Sequence, residues 1–156
     1  MSMRYHTPLT AEEQLAAGLP APRTLALADR VRYAELDPLN HVNNKSYFTW
    51  FETLRVEYGL RCVLPFFDLV PRMVLRGGEI RFHKEMLEGE EYIATAHVTA
   101  FRASSYTIEQ LIWAGDLRAS FNCVMVMLRP DGSERMPLPD ALRDTFLDRD
   151  GARAEA

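Results

Sequence analysis

Cysteine is scarce in this chain, with only Cys62 and Cys123 among 156 residues. The two lie far apart and lack any Cys-x-x-Cys or Cys/His spacing, which excludes a disulfide framework and a zinc-ribbon type of site. We therefore expect two buried or half-buried thiols and no metal or other cofactor. A Gly-x-Ser-x-Gly sequence is also absent, which excludes the serine site of α/β-hydrolases, and no glycine-rich phosphate loop is present.

Excess positive charge is missing too, because 18 Lys and Arg stand against 22 Asp and Glu, giving a net charge of -4. The basic residues are scattered, so nucleic acid is excluded as a partner. Long apolar runs are equally absent, and residues 1–23 have no basic start followed by an apolar stretch. The sequence therefore predicts neither a secretory signal nor a membrane span. It predicts a cytoplasmic location.

The chain does have enough apolar residues, 47%, for one domain with a real core. Thr10 and Glu13 match a capping box, which predicts a short helix through about Ala17 before Gly18 and two prolines end it. We predict an N-terminal appendage over residues 1–24, a main domain over residues 25–148 and a flexible, solvated tail over residues 149–156.

Periodicity in the main domain predicts one helix among strands. Alternation over residues 27–36 predicts a first strand, and apolar residues at helical spacing over residues 44–58 predict a wrapped helix. Four further strands are predicted, around residues 79–83, 91–103, 104–113 and 117–128, with a bulge at Gly77–Gly78. The pattern indicates an α+β domain in which a curved antiparallel sheet wraps around a long central helix.

The segment between the first strand and this helix carries the most chemistry. It contains Asp37 and His41 and then enters the helix through Asn43 and Asn44. A helix start offers unpaired backbone N–H groups and the positive end of the helix dipole, so a carbonyl oxygen placed there is polarised. Asp37 is a candidate base or nucleophile, and the N–H of Asn44 or Lys45 is a candidate oxyanion donor.

The string Asp37-x-x-x-His41-Val-Asn-Asn-x-x-Tyr47, followed by Glu52-x-x-Arg55, resembles the hotdog-fold acyl-CoA and acyl-carrier-protein thioesterases of the 4-hydroxybenzoyl-CoA thioesterase-like family. The resemblance extends over residues 27–139 and implies a hotdog fold and an acyl-CoA thioesterase. It implies that Asp37 is the principal catalytic residue. The plant-type members have a catalytic Asn where this chain has Leu39. For His41, catalytic support and a structural role are therefore equally favoured.

The remaining site candidates come from position and from the same resemblance. We expect the apolar side chains of Tyr47, Phe48 and Phe51 to line an acyl pocket, beside Asn43 and Lys45 at the helix start. In the family, the turn that corresponds to residues 102–105 touches coenzyme A, which implies a binding role for Arg102, Ser104 and Ser105. For Glu52 and Arg55 we expect an ion pair on the helix surface. The role of Glu79 stays open.

A sheet that curls around one helix leaves an uncovered edge, which predicts a homodimer or a dimer of dimers. The predicted function is hydrolysis of acyl-CoA, with acyl-carrier protein as an alternative carrier. A hotdog hydratase or dehydratase and a non-catalytic acyl-thioester-binding module remain as alternatives. The sequence does not fix the length or kind of the acyl group.

Overall fold

The computed structural model describes residues 3–156. Its helices are α1 (Ala11–Ala16), α2 (Asn44–Cys62) and α3 (Asp140–Asp150). Its strands are β1 (Leu25–Arg30), β2 (Arg72–Phe82), β3 (Glu91–Phe101), β4 (Ser105–Ala114), β5 (Asp116–Leu128) and β6 (Arg153–Ala154). Single 3₁₀ turns cover Tyr33–Glu35 and Leu64–Phe66.

The strands form one sheet in the order β1-β3-β4-β5-β2, and all four of these pairings are antiparallel. The inner face of the sheet packs on α2, and together they form the main hydrophobic core. One long helix wrapped by a curved antiparallel sheet is the hotdog architecture, so the predicted fold class is confirmed. No helix within residues 3–156 combines the length and the hydropathy that crossing a bilayer requires.

Helix α2 forms where its apolar period predicts it. The side chain of Asn43 caps its start by accepting from the N–H of Lys45 at 3.0 Å. Tyr47, Phe51, Leu54 and Tyr58 are all at most 3% exposed, so one whole side of the helix lies in the core. The helix runs four residues beyond the predicted end, to Cys62.

Strand β2 forms an edge of the sheet, because only β5 pairs with it. The predicted bulge is present, since the register with β5 shifts between Leu75 and Gly77. A side chain at Gly78 would place its Cβ 2.5 Å from the carbonyl oxygen of Asn122, so this close approach requires glycine. Three apolar residues of the strand, Val74, Leu75 and Phe82, are more than 40% exposed.

The first strand is shorter than predicted. β1 ends at Arg30, and a 3₁₀ turn over Tyr33–Glu35 replaces the predicted extension to Leu36. Glu35 explains the turn, because its carboxylate accepts from the N–H of Arg32 at 2.9 Å and from the indole N–H of Trp50 at 2.9 Å. The alternation of Val31 and Tyr33 mimics a strand, although Tyr33 is 78% exposed.

The appendage contains the predicted helix. Thr10 and Glu13 form the reciprocal capping box at the start of α1. Leu9 and Leu19 pack on Ala26, Ala28 and Ile93 in a second, small core. The appendage therefore covers the outer face of β1 and β3, opposite α2.

The expectation of a flexible tail from residue 149 is wrong in the structure. Helix α3 extends to Asp150, and Gly151 ends it in the left-handed conformation (φ 67°). β6 then pairs with β3 in parallel. α3 has no clear apolar period in the sequence, because only Leu142 and Phe146 of this polar helix are buried. The division of the chain into domains stays a prediction.

Asp150 fastens α3 to the core. Its carboxylate is fully buried and accepts from the hydroxyl of Tyr58, from the N–H of Val98 at 2.7 Å and from Arg149 at 2.6 Å. Burial and the neighbouring carboxylate raise the pKa of Tyr58. The Asp150 side chain therefore links three elements, α2, β3 and α3.

Replacement of Asp150 by alanine should lower the free energy of unfolding by about 3 kcal/mol, because it leaves the Tyr58 hydroxyl and the Val98 N–H buried without an acceptor. Urea denaturation followed by circular dichroism measures this change. The exposed neighbour Asp148 provides the control, and Asp148→Ala should stay within about 0.5 kcal/mol of the native protein. Equal stabilities of the two variants would contradict the role of Asp150.

Candidate active site at the start of the central helix

The start of α2 is held by Glu35. The backbone carbonyl of Glu35 accepts from the N–H of Asn43 at 2.8 Å and from the hydroxyl of Ser46 at 3.1 Å. Its carboxylate binds Trp50, which lies one turn further along α2. Because Glu35 lies two residues before Asp37, this anchoring fixes the Asp37 loop against the helix start. No sequence pattern indicates this role of Glu35.

One backbone N–H at the helix start is free. The N–H of Lys45 donates to the Asn43 side chain, and that of Ser46 donates to the Asn43 carbonyl at 2.9 Å. Within residues 3–156 the N–H of Asn44 has no such acceptor. Of the two predicted oxyanion donors, only Asn44 is therefore available, and Asn44 and Lys45 are both exposed.

Asp37 lies in a tight loop whose ends are joined by a bridge between Leu36 and Val42. One carboxylate oxygen, Oδ1, accepts from the N–H of Leu39 at 2.9 Å and from that of His41 at 3.3 Å. Oδ2 has no hydrogen bond within the described part of the chain. The side chain is half-buried, so one oxygen fixes the loop while the other is free to act on a water or a substrate.

His41 is half-buried in the same loop, and its carbonyl accepts from the N–H of Asp37 at 2.8 Å. Asn40 adopts a positive φ of 63°, which brings residues 37 and 41 together. The next residue after His41, Val42, donates its N–H to the carbonyl of Met86 at 2.9 Å and so joins the loop to the connection between β2 and β3. Asp37 and His41 are therefore neighbours, as their spacing predicts.

The predicted aromatic residues divide between core and surface. Tyr47 is 3% exposed and packs edge-on against Trp50 and Phe82, and burial raises its pKa to about 12. Phe51 is fully buried. Phe48 is 47% exposed and lies over Phe121 of β5. Of these three aromatic side chains, Phe48 is therefore the one that stays accessible to a ligand.

Arg102, Ser104 and Ser105 lie at the turn between β3 and β4, at the other end of the sheet. Tyr92 of β3 stacks on Trp50 and marks the level of the helix start. The turn follows Phe101, at the other end of β3. Eight to nine residues of strand separate the two levels, which is about 26–30 Å. Arg102 pairs with Glu155 at 3.4 Å, and both serines are buried. Within one chain, the structure does not bring this turn to Asp37.

The predicted ion pair between Glu52 and Arg55 is wrong. Glu52 is exposed, while Arg55 points inward and donates to the amide oxygen of Gln110 at 3.1 Å. The guanidinium lies 5.4 Å from the ring centre of Phe121. The buried Gln110 was not predicted as a partner. Glu79 is exposed on β2 and binds Arg81.

Metal-ligating side chains are not clustered. Within residues 3–156, no group of three or more His, Cys, Asp or Glu side chains could hold a metal ion. Cys62 is half-buried and Cys123 is buried, as predicted, and burial raises the pKa of Cys123 to about 11. These thiols are therefore not activated nucleophiles.

A large cavity, of about 800 Å³, lies away from Asp37. It lies on the outer face of the sheet, between the appendage and the Trp113 end of β4. Ion pairing between Arg4 and Glu13 closes part of its rim. The candidate site is the segment that holds Asp37 and Asn44, because there the carboxylate has an unbonded oxygen and the helix start has a free N–H.

The sequence of residues 31–146 matches the model of the thioesterase-like superfamily. The chain belongs to this superfamily. Membership supports thioester hydrolysis as its general activity, and the resemblance found in the sequence is confirmed. A comparison with curated proteins gave no match.

Solved structures of thioesterases resemble the chain along most of its length. A thioesterase-superfamily protein from Jannaschia sp. CCS1 is 40% identical with a TM-score of 0.89, and the match covers 99% of this chain and 100% of that one. A Thermus thermophilus thioesterase, solved with coenzyme A and zinc, is 28% identical with a TM-score of 0.70 over 80% of this chain and 98% of that one.

A more distant structure shares the fold alone. This is a 1,4-dihydroxy-2-naphthoyl-CoA thioesterase from Synechocystis, which is 15% identical with a TM-score of 0.65. The match covers 79% of this chain and 94% of that chain.

Proposed function

We propose that this member of the superfamily hydrolyses acyl-CoA thioesters in the cytoplasm, with its active site at the Asp37 loop and the start of α2. The carrying observation is the free N–H of Asn44 at the positive end of a 19-residue helix, which follows directly on a loop that holds a carboxylate, Asp37, with one unbonded oxygen. The coenzyme A complex of the Thermus thermophilus relative supports coenzyme A as the carrier.

In the proposed reaction the thioester oxygen accepts from the N–H of Asn44. Oδ2 of Asp37 takes a proton from water as the water attacks the carbonyl carbon, or attacks that carbon itself to form an anhydride that water then hydrolyses. The tetrahedral intermediate collapses, the C–S bond breaks and coenzyme A leaves as a thiolate that takes up a proton. No cofactor is required in either route.

The activity is tested by incubating the protein with acyl-CoA thioesters from acetyl to dodecanoyl and detecting the free thiol. We expect turnover that rises with chain length by up to a few-fold per methylene until the acyl pocket is full. Binding of every thioester without release of thiol would indicate the non-catalytic binding module. Hydration of an enoyl thioester without release of thiol would indicate the hydratase.

His41→Ala should lower turnover about tenfold, because His41 shares the loop with Asp37 and can orient water or the thioester. Steady-state kinetics on one medium-chain acyl-CoA measures this effect. His6 lies on the surface of the appendage, and His6→Ala provides the control with native turnover. A loss as large as that of the Asp37 variant, with no further loss in the double variant, would show that both residues act as one unit.

Two uncovered apolar surfaces support a homodimer. One is the exposed edge strand β2, and the other is the exposed side of α2, where Phe48, Val56 and Leu60 are 47–54% exposed. A second copy that paired with β2 would cover both and remove the open edge. Such an arrangement would also allow the distant turn at Arg102, Ser104 and Ser105 to serve the partner's site.

Light scattering at micromolar concentration should give a mass of twice the 17.9 kDa of one chain, or a multiple of that dimer. Leu60→Lys should shift the mass toward the monomer, because it places a charge on the apolar side of α2. Leu147, which is 44% exposed on α3, offers the matched control, and Leu147→Lys should keep the native mass. A native protein that is monomeric and fully active would contradict the dimer.

A further inference from the structure

Arg55 is a half-buried, positively charged side chain with mainly apolar neighbours. It projects from α2 toward the inner face of the sheet, where its guanidinium lies over Phe121. Phe48 lies against the same ring, with 6.0 Å between the ring centres. Cys123 and the fully buried Gln110 complete its surroundings. Phe48, near the proposed active site, and Arg55, further along α2, therefore contact the same ring of the sheet.

The guanidinium is fixed in place by Gln110. The amide nitrogen of Gln110 donates to the carbonyl of Phe51 at 2.7 Å, which leaves its oxygen directed at Arg55. The neutral amide orients Arg55 and does not neutralise it. Within residues 3–156, no carboxylate oxygen lies within 4.0 Å of Arg55.

Arg118 is a buried guanidinium that has carboxylate partners. Arg118 is 6% exposed, and it binds both oxygens of Glu90 at 3.0 and 3.1 Å as well as the carboxylate of Asp116. Desolvating a cation without an anionic partner is unfavourable. The absence of a carboxylate at the half-buried Arg55 is therefore consistent with an anion that arrives with a ligand.

The position of Arg55 fits the far end of an acyl chain. Eleven residues separate Asn44 from Arg55, which corresponds to about 16 Å along the helix axis. Side chains on a helix lean toward its N-terminus, so the guanidinium lies closer to the helix start than its Cα does. A medium-length acyl group whose carbonyl binds at Asn44 would reach this level.

We propose that Arg55 binds a carboxylate at the end of the acyl chain remote from the thioester, so that the preferred substrates are coenzyme A monothioesters of medium-chain dicarboxylic acids. Gln110 acts as the positioning residue for this contact. The inference rests on the proposed function, because it uses the same active site. A guanidinium–carboxylate contact at this half-buried position should favour such a substrate at least about tenfold.

The test compares kcat/KM for suberoyl-CoA and octanoyl-CoA, which have the same chain length. We expect the native protein to favour suberoyl-CoA at least about tenfold. Arg55→Leu should remove this preference, lowering the value for suberoyl-CoA far more than that for octanoyl-CoA. Arg61, on the same helix and paired with Glu57 at the surface, provides the control, and Arg61→Leu should keep the preference.

A second variant guards against misfolding of Arg55→Leu. Gln110→Glu places a carboxylate beside Arg55 without changing the side-chain shape, so it should neutralise the guanidinium and also reduce the preference for suberoyl-CoA. Equal kcat/KM values for the two substrates in the native protein would overturn the proposal. A preference that survives in both variants would overturn it as well.

Failure of this inference can be told from failure of the proposed function. If octanoyl-CoA is hydrolysed and Asp37→Asn abolishes this reaction, the function stands whatever Arg55 does. If neither thioester is hydrolysed, the function fails, and calorimetric binding of the two thioesters tests Arg55 directly, with equal affinities overturning its role. If Arg55→Leu dissociates the oligomer and the native protein has no preference, the charge of Arg55 serves a second copy of the chain.

Discussion

Asp37→Asn should lower turnover on a good acyl-CoA substrate by roughly a hundredfold or more, with little change in KM. The amide keeps an oxygen that can accept from the N–H groups of Leu39 and His41, so the loop should keep its shape. It cannot take a proton from water at neutral pH or act as a carboxylate nucleophile. The effect should therefore fall on the chemical step.

Asp144 provides the matched control for this variant. It is exposed on α3, far along the chain from the active site, and Asp144→Asn should keep native turnover and stability. Thermal unfolding of both variants checks that the fold is retained. Near-native turnover of Asp37→Asn would show that another group activates the nucleophile.

Much of the fold could be predicted because its elements have clear periods. The apolar residues of α2 recur every three to four positions, and glycines mark the turn after β4 and the bulge in β2. The sequence analysis missed α3 because Leu142 and Phe146 give too weak a pattern. What fixes this helix is the buried carboxylate of Asp150, a long-range contact with Tyr58 that no local pattern reveals.

The candidate site was predictable in part. Asp37, His41 and the helix start occur in one short segment, so their proximity follows from the sequence. The inward direction of the Arg55 side chain does not follow from the sequence, because a Glu-x-x-Arg spacing on a helix suits a surface ion pair. The partner that decides its direction is Gln110, which lies 55 residues away on β4. Side-chain direction at such a position depends on the folded sheet.

The second large effect concerns the N–H of Asn44, which a proline can remove. Asn44 is the first residue of α2, a position where proline is well tolerated. The preceding Asn43 has φ -64° and ψ 139°, the extended conformation that a following proline requires. Asn44→Pro should therefore keep the helix while deleting the one donor that the proposed mechanism uses.

Turnover of Asn44→Pro compared with Asn44→Ala tests the central claim most directly, because the alanine variant loses the same side chain but keeps the N–H. We expect Asn44→Pro to lose about a hundredfold or more in kcat. Asn44→Ala should stay within a few-fold of the native enzyme, and both should unfold at the native temperature. Equal turnover of the two variants, at equal stability, would show that the start of α2 does not hold the oxyanion.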